Sequence, residues 1–183
     1  MRLFVALPLP KHVRADLAER VQALEPGSPP GLRWASPERW HLTLCFLGEV
    51  ADQRLPALQS SLARKVARHR ALDLQLGGAG RFGRRVFWVG VGGDLDRLGR
   101  LASAVGAGAR RVGVQVEDRP YRPHLTVARN AGPAGLAPLV AALDDYAGPT
   151  WSADEVALVR SRLGPRPTYE TVEAWPLAPA QLA

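Results

Sequence analysis

Cysteine is almost missing from this chain of 183 residues: Cys45 stands alone. An intramolecular disulfide and a thiolate-rich zinc site are therefore both excluded. Lysine is nearly as scarce. Lys11 and Lys65 are the only two among 24 basic residues, and the arginines that make up the rest carry rigid forks suited to bidentate contact with phosphate. No stretch reaches 18 uncharged apolar residues, the length a membrane-spanning helix needs. The apolar run Leu3-Phe4-Val5-Ala6-Leu7 is too short for a signal peptide, so a cytoplasmic protein is expected. Gly77-Gly78-Ala79-Gly80 lacks the Gly-Lys-Ser/Thr ending of a nucleoside-triphosphate loop and reads as a bend or bulge between strand segments.

Hydrophobic residues make up 46 % of the chain and charged residues 22 %, which predicts a globular protein with a sizeable core. The length suits one domain covering 1–183. A net charge of +7 favours polyanionic partners without naming one.

Periodicity places the elements. Strands are predicted at 3–9, 40–47, 72–76, 86–91, 112–116, 124–129, 154–162 and 168–175. Apolar spacings of three and four predict helices from residue 11 to about 24, over 52–68, over 94–109 and, more briefly, over 136–146. Proline- and glycine-containing segments at 26–31, 132–135 and 164–167 read as loops inside one fold. Mixed elements with no glycine-rich loop after the first strand point to an α+β fold, not a dinucleotide-binding one.

The strongest signal is a repeat. His41-Leu42-Thr43-Leu44 and His124-Leu125-Thr126-Val127 share one pattern, with the histidines 83 positions apart. The chain has four histidines, and two occupy equivalent places in predicted strands. Side chains two residues apart share a strand face, so each copy would turn its histidine and threonine one way and its apolar residues into the core. Two such strands facing each other would surround one centre with two imidazoles and two hydroxyls. One neutral imidazole can take a proton from an attacking oxygen, and one imidazolium can give a proton to a departing oxygen. The hydroxyls can donate to phosphoryl oxygens as charge develops there. A metal site is a weaker reading, because no third ligand with useful spacing accompanies either histidine.

The flanks carry a resemblance. Arg2-Leu3-Phe4-Val5-Ala6-Leu7, Trp40-His41-Leu42-Thr43-Leu44-Cys45-Phe46-Leu47-Gly48, Val86-Phe87-Trp88-Val89-Gly90 and Tyr121-Arg122-Pro123-His124-Leu125-Thr126-Val127-Ala128-Arg129 resemble the 2H phosphoesterase superfamily. Its RNA 2',3'-cyclic phosphodiesterase branch, also called 2'-5' RNA ligase, is the nearest in pattern. The ending, Ser161-Arg162-Leu163 through Tyr169-Glu170 to Trp175-Pro176-Leu177, fits as well. The resemblance implies a bilobal α+β fold, with two antiparallel sheets flanking a central cleft, pseudo-twofold symmetry and outer helices. It implies hydrolysis of an RNA 2',3'-cyclic phosphate end to a 2'-phosphomonoester. His41 would be the proton donor, His124 the proton acceptor, and Thr43 and Thr126 would hold the phosphate. Ligation to a 2'-5' linkage without ATP would be the same chemistry reversed. No cofactor, metal, membrane or protein partner is implied, and a monomer is expected.

Four further residues are candidates for substrate contact: Arg33, Tyr121, Arg122 and Arg129. Arg122 is nominally on the His124 face. Arg129, on ideal alternation, faces away from His124, so a phosphate role needs a bulge or the strand's end. Tyr121 would bring a hydroxyl near the site. Arg81, Arg84 and Arg85 form a basic turn that can attract RNA or simply be solvated. Trp34 and Trp40 either stack a terminal base or cover the core, with core favoured for Trp40; Trp88, Trp151 and Trp175 read as packing. Cys45 shares nominal parity with His41 and is expected as filler near the cleft. Two other functional readings stay open: a non-catalytic module that binds RNA ends, and the same chemistry on a 2'-5'-linked or small cyclic nucleotide.

Overall fold

A computed structural model describes residues 1–162, 164 and 167–180; Leu163 and part of the expected 164–167 loop lie outside the described residues. In chain order the elements are β1 (Arg2–Pro8), α1 (Lys11–Leu24), β2 (Leu32–Trp34), β3 (His41–Glu49), α2 (Leu55–Val66), β4 (Leu72–Phe82), β5 (Val86–Gly93) and α3 (Leu95–Arg111). They continue with β6 (His124–Asn130), α4 (Ala137–Ala142), β7 (Ala147–Ala153), β8 (Glu155–Arg162) and β9 (Thr168–Pro176). The strands form two sheets, one ordered β3-β1-β8-β9 and the other β2-β6-β5-β4-β7, antiparallel throughout. Each His-x-Thr strand thus lies at or next to a sheet edge, and β3 comes within 8 Å of β6 between Cα atoms.

Two expectations change. The 112–116 segment is not a strand: Gly113 turns the chain at φ +76°, and Val114 is buried from an irregular stretch. The helix expected over 136–146 stops at Ala142. Two strands, β2 and β7, carry no periodic signal. β2 has only three residues, too few for a period. β7 contains Gly148 and Pro149, which argue against a strand by composition, but it lies at the free edge of its sheet, where proline is tolerated.

One continuous core lies between the helices and the inner faces of both sheets. Leu3, Val5 and Leu7 of β1, Leu42 of β3, Phe87 of β5 and Leu125 of β6 enter it beside Leu17, Leu62 and Leu101 of the helices. Burying each such side chain contributes about 1.5–3 kcal/mol, so the two motif strands are pinned by their apolar residues. The opposite face of β1 and β8 carries a small separate cluster, Phe4, Ala6, Ala157 and Val159. That cluster floors a cleft.

The two motif strands bury their residues in one identical seven-residue order. In each, alternation holds from the histidine to the threonine and then slips. Ala6 pairs with Thr43 but Val5 pairs with Cys45; Trp88 pairs with Thr126 but Phe87 pairs with Ala128. Leu44 and Val127 are the extra residues of two β-bulges, so two successive side chains turn inward and the next returns to the outer face. Cys45 therefore enters the core instead of sharing the His41 face, which corrects the parity expectation. Burial pushes its thiol up to about 11. Phe46, by contrast, is 56 % exposed.

The bulge has a stability signature. Phe46→Ala is expected to cost at most about 1 kcal/mol, as a surface change, whereas Leu125→Ala should cost about 2–5 kcal/mol, both measured by urea unfolding. An unbulged β3 would bury Phe46 with Leu42 and Leu44, and a loss of about 3–5 kcal/mol at Phe46 would show it.

Candidate active site

Residues directly opposite one another in paired strands share a face, so strand register maps the cleft. On the five-stranded sheet, His124 lies opposite Gly90, Thr126 opposite Trp88, and Arg129 opposite Val86. Arg33 flanks Arg129 on its other side. On the four-stranded sheet, His41 lies opposite Pro8, Thr43 opposite Ala6, and Phe46 opposite Phe4. Each wall thus presents a histidine, then a threonine, then the residue returned by the bulge. That third residue is an exposed phenylalanine on one wall and an exposed arginine on the other.

The two imidazoles are held in the same way. His41 Nδ1 lies 2.7 Å from the Arg39 carbonyl, and His124 Nδ1 lies 2.7 Å from the Arg122 carbonyl. A carbonyl only accepts, so each Nδ1 carries its proton and donates it. The neutral tautomer is thereby set, with Nε2 as the unprotonated nitrogen. The strand supplies this bond itself: the acceptor is the backbone two residues upstream, in the stretch leading into each motif.

Aromatic rings wall both histidines. The His41 ring stacks on Phe4, with centroids 4.6 Å apart and planes at 26°, and Tyr169 meets it edge-on at 5.3 Å. Phe82 meets His124 edge-on at 4.8 Å, and Trp88 lies 6.2 Å away. Gly80 pairs with Trp88, and a Cβ there would collide with the indole ring. The glycine leaves the space that the indole occupies beside the histidine, the two rings tilted at 56°. Burial lowers the His41 pKa below the usual imidazole value; the Arg39 carbonyl partly offsets this, and charge on His124 lowers it further. The two motifs are close enough for the charge of one histidine to act on the other, as the approach of β3 to β6 requires.

The structure sorts the sequence candidates. His41, His124, Thr43 and Thr126 face one cleft. Arg129 joins them because of the bulge, and Arg33 joins Arg129. Arg122 contributes its carbonyl to His124 and leaves its side chain exposed. Tyr121 does not reach the histidines. It packs with the core beside α3, lining a cavity with Arg100 and Ser103, and its hydroxyl is buried with no partner among the described residues. Burial pushes that hydroxyl's pKa up. Trp40 is core, at 4 % exposure. Trp34 also packs inward, edge-on to Phe87, but Trp88 belongs to the cleft, against the packing expectation. Sequence reasoning gave no role to Phe46, Phe4, Tyr169 or Phe82. The usable signal was that Phe46 and Arg129 each fall five residues after a motif histidine.

Of two imidazoles whose Nδ1–H is taken by backbone, one as the neutral ring can accept a proton at Nε2 and the other as imidazolium can donate one from Nε2, at the two ends of a transferred group, while the hydroxyls and Arg129 suit an anion between them. Among the described residues no group of three His, Cys, Asp or Glu side chains is placed to hold a metal ion. Nitrogen-15 NMR is expected to show neutral His41 and His124 both as the Nδ1–H tautomer, with His41 titrating below the usual imidazole value. An Nε2–H tautomer at either ring would contradict the carbonyl bonds.

Similarity to known proteins follows the same residues. The model of the 2'-5' RNA ligase superfamily matches residues 9–165. A Thermus thermophilus protein named RNA 2',3'-cyclic phosphodiesterase is 36 % identical over 190 residues, covering 97 % of this chain and 90 % of its own. A Geobacillus stearothermophilus protein of the same name is 31 % identical over 179 residues. That match takes in 95 % of this chain, which spans 56 % of the relative's length. The crystal structure of TT0787 from Thermus thermophilus superposes with a TM-score of 0.84 at 31 % identity, over 99 % of this chain and 100 % of that one. A match that runs through both His-x-Thr strands and most of the chain leaves one conclusion: the chain belongs to the 2'-5' RNA ligase superfamily.

Proposed function

We propose that this protein hydrolyses the 2',3'-cyclic phosphate at an RNA 3' end to a 2'-phosphomonoester, with His124 as general base and His41 as general acid. The observation that carries the reading is the pair of imidazoles held alike by backbone carbonyls on two strands that approach each other, β3 and β6. The names of its relatives support the substrate.

The step balances without a covalent enzyme intermediate. A water oxygen attacks phosphorus as His124 Nε2 takes one of its protons. The bond from phosphorus to the ribose 3'-oxygen breaks, and His41 Nε2 protonates that oxygen. Exchange with solvent then restores both rings. Thr43 and Thr126 donate to the non-bridging oxygens, and Arg129 places a guanidinium fork on the same anion, where charge-assisted bonds are strongest. Phe46, exposed beside Phe4, offers the terminal base a stacking surface. Reverse ligation uses the same groups, with an RNA 5'-hydroxyl attacking in place of water.

His41→Ala and His124→Ala should each lower kcat at least about a hundredfold on a cyclic-ended oligonucleotide, and Arg129→Ala by about a hundred- to a thousandfold. Phe46→Ala should act mainly on KM, by roughly tenfold, the cost of one lost stacking contact. Wild-type turnover should survive a chelator. RNA binding with no product from a cyclic-ended oligonucleotide would identify an RNA-end-binding module instead.

The pH dependence follows from the lowered His41. As the acid, His41 must be protonated, so activity falls as pH rises through its pKa. The alkaline limb of kcat/KM reports the free protein and should lie below the ordinary imidazole range. Bound phosphate is an anion beside His41 and favours imidazolium, so the alkaline limb of kcat should lie at higher pH than that of kcat/KM. Coincident or inverted limbs would remove His41 from the acid role.

A further inference from the structure

We infer that Arg33 and the Arg84-Arg85 turn form a track for the phosphodiester backbone upstream of the reacting end, making the cleft selective for an RNA strand over a cyclic mononucleotide. This rests on the phosphodiesterase reading and extends it to the length of the substrate.

The first support is an electrostatic arrangement that costs stability without an anion. β2 is only three residues long, yet it sets Arg33 directly opposite Arg129. Like charges opposite one another in a sheet are destabilising. The neighbouring Trp34 fixes the strand's facing: its ring meets the buried Phe87 edge-on with centroids 5.9 Å apart, and its Nε1 donates to Ser28 Oγ at 2.8 Å. Arg33 is thereby turned to the cleft face and is exposed. Among the described residues, no carboxylate lies within 4.0 Å of the guanidinium nitrogens of Arg33, Arg84, Arg85 or Arg129. Four cations at one end of a cleft are left for an external polyanion.

The second support is that the basic turn is built into the site. Asn130 follows Arg129 and is buried to 3 % exposure. Its side-chain Nδ2 donates to the Arg84 carbonyl at 3.1 Å and to the Ala134 carbonyl at 2.9 Å, and its backbone N–H donates to the Arg85 carbonyl at 2.8 Å. A buried amide satisfied in this way holds the 83–85 turn against the end of β6. The turn carries two exposed arginines at a set place beside Arg129.

The third support is direction. In the proposed reaction the terminal base stacks on Phe46, exposed on the four-stranded sheet, while Arg33 and Arg129 sit on the five-stranded sheet. A nucleotide spanning the cleft with its reacting phosphate between the threonines turns its 5' side toward Arg129 and Arg33. The next phosphates of a strand continue along that wall; a cyclic mononucleotide has none to place there.

The test compares kcat/KM for 2',3'-cyclic AMP and for a tri-adenylate ending in a 2',3'-cyclic phosphate. Both are measured on the wild type and on the Arg33→Ala/Arg84→Ala/Arg85→Ala variant. The wild type should favour the trinucleotide by roughly tenfold or more, the worth of charge-assisted contacts to phosphate, and the variant should shrink that ratio toward one. Between about 50 and 200 mM salt, the wild-type trinucleotide should show the steeper log–log dependence, by about 0.7 per phosphate contact. Because the readout is a ratio within one preparation, partial misfolding of the variant does not imitate the result. Equal efficiency on both substrates in the wild type, or an unchanged preference in the variant, overturns the track alone. Turnover of neither substrate by the wild type overturns the phosphodiesterase reading and the track with it.

Discussion

Everything at this site depends on the two-residue period of a β-strand and on its interruption at the same place in two strands. Leu42 and Leu125 are fully buried, and because neighbours on a strand point oppositely, that burial turns His41, Thr43, His124 and Thr126 outward. The anchoring is hydrophobic and non-directional, yet it sets direction, since slipping either strand by one residue would expose its leucine and bury its histidine. The bulges after the threonines then bring Phe46 and Arg129 back to the face their numbers deny them. A third outward-facing position per strand is obtained from one extra residue.

The histidines are held more locally still. Each Nδ1 bond goes to the carbonyl two residues upstream, so the tautomer is set within the segment that enters the strand. The electrostatic relation between them belongs to the whole fold. Burial and the charge of His124 both lower the affinity of His41 for a proton. An anion between them reverses that balance, which suits a substrate that arrives with its own negative charge.

Approximate twofold symmetry in the backbone coexists with chemical asymmetry in the third position. Phe46 with Phe4 and Tyr169 makes one wall apolar and aromatic, and Arg129 with Arg33 makes the other cationic. A nucleotide has the same polarity, with a flat base on one side of the ribose and a charged backbone on the other. In the proposed reaction, the symmetric histidines serve the phosphorus atom and the asymmetric pair orients what is attached to it.

By itself, the order of residues determined the α+β class, the twin strands, their inward leucines and the shared outward face of histidine and threonine. These depend on local periodicity, which is written in neighbouring positions. Tertiary structure alone decided the rest. The inward turn of Cys45 and the outward return of Phe46 and Arg129 depend on pairing with β1 and β5, where an extra residue is absorbed only because a partner strand lacks it. β7 carries no strand signal in its sequence because Pro149 is acceptable only at an edge, and edges exist only once a sheet is assembled. Tyr121 was drawn away from His124 by packing against α3. The aromatic walls, and the meeting of residues 83 positions apart, likewise depend on which strands lie side by side, a relation no local pattern encodes.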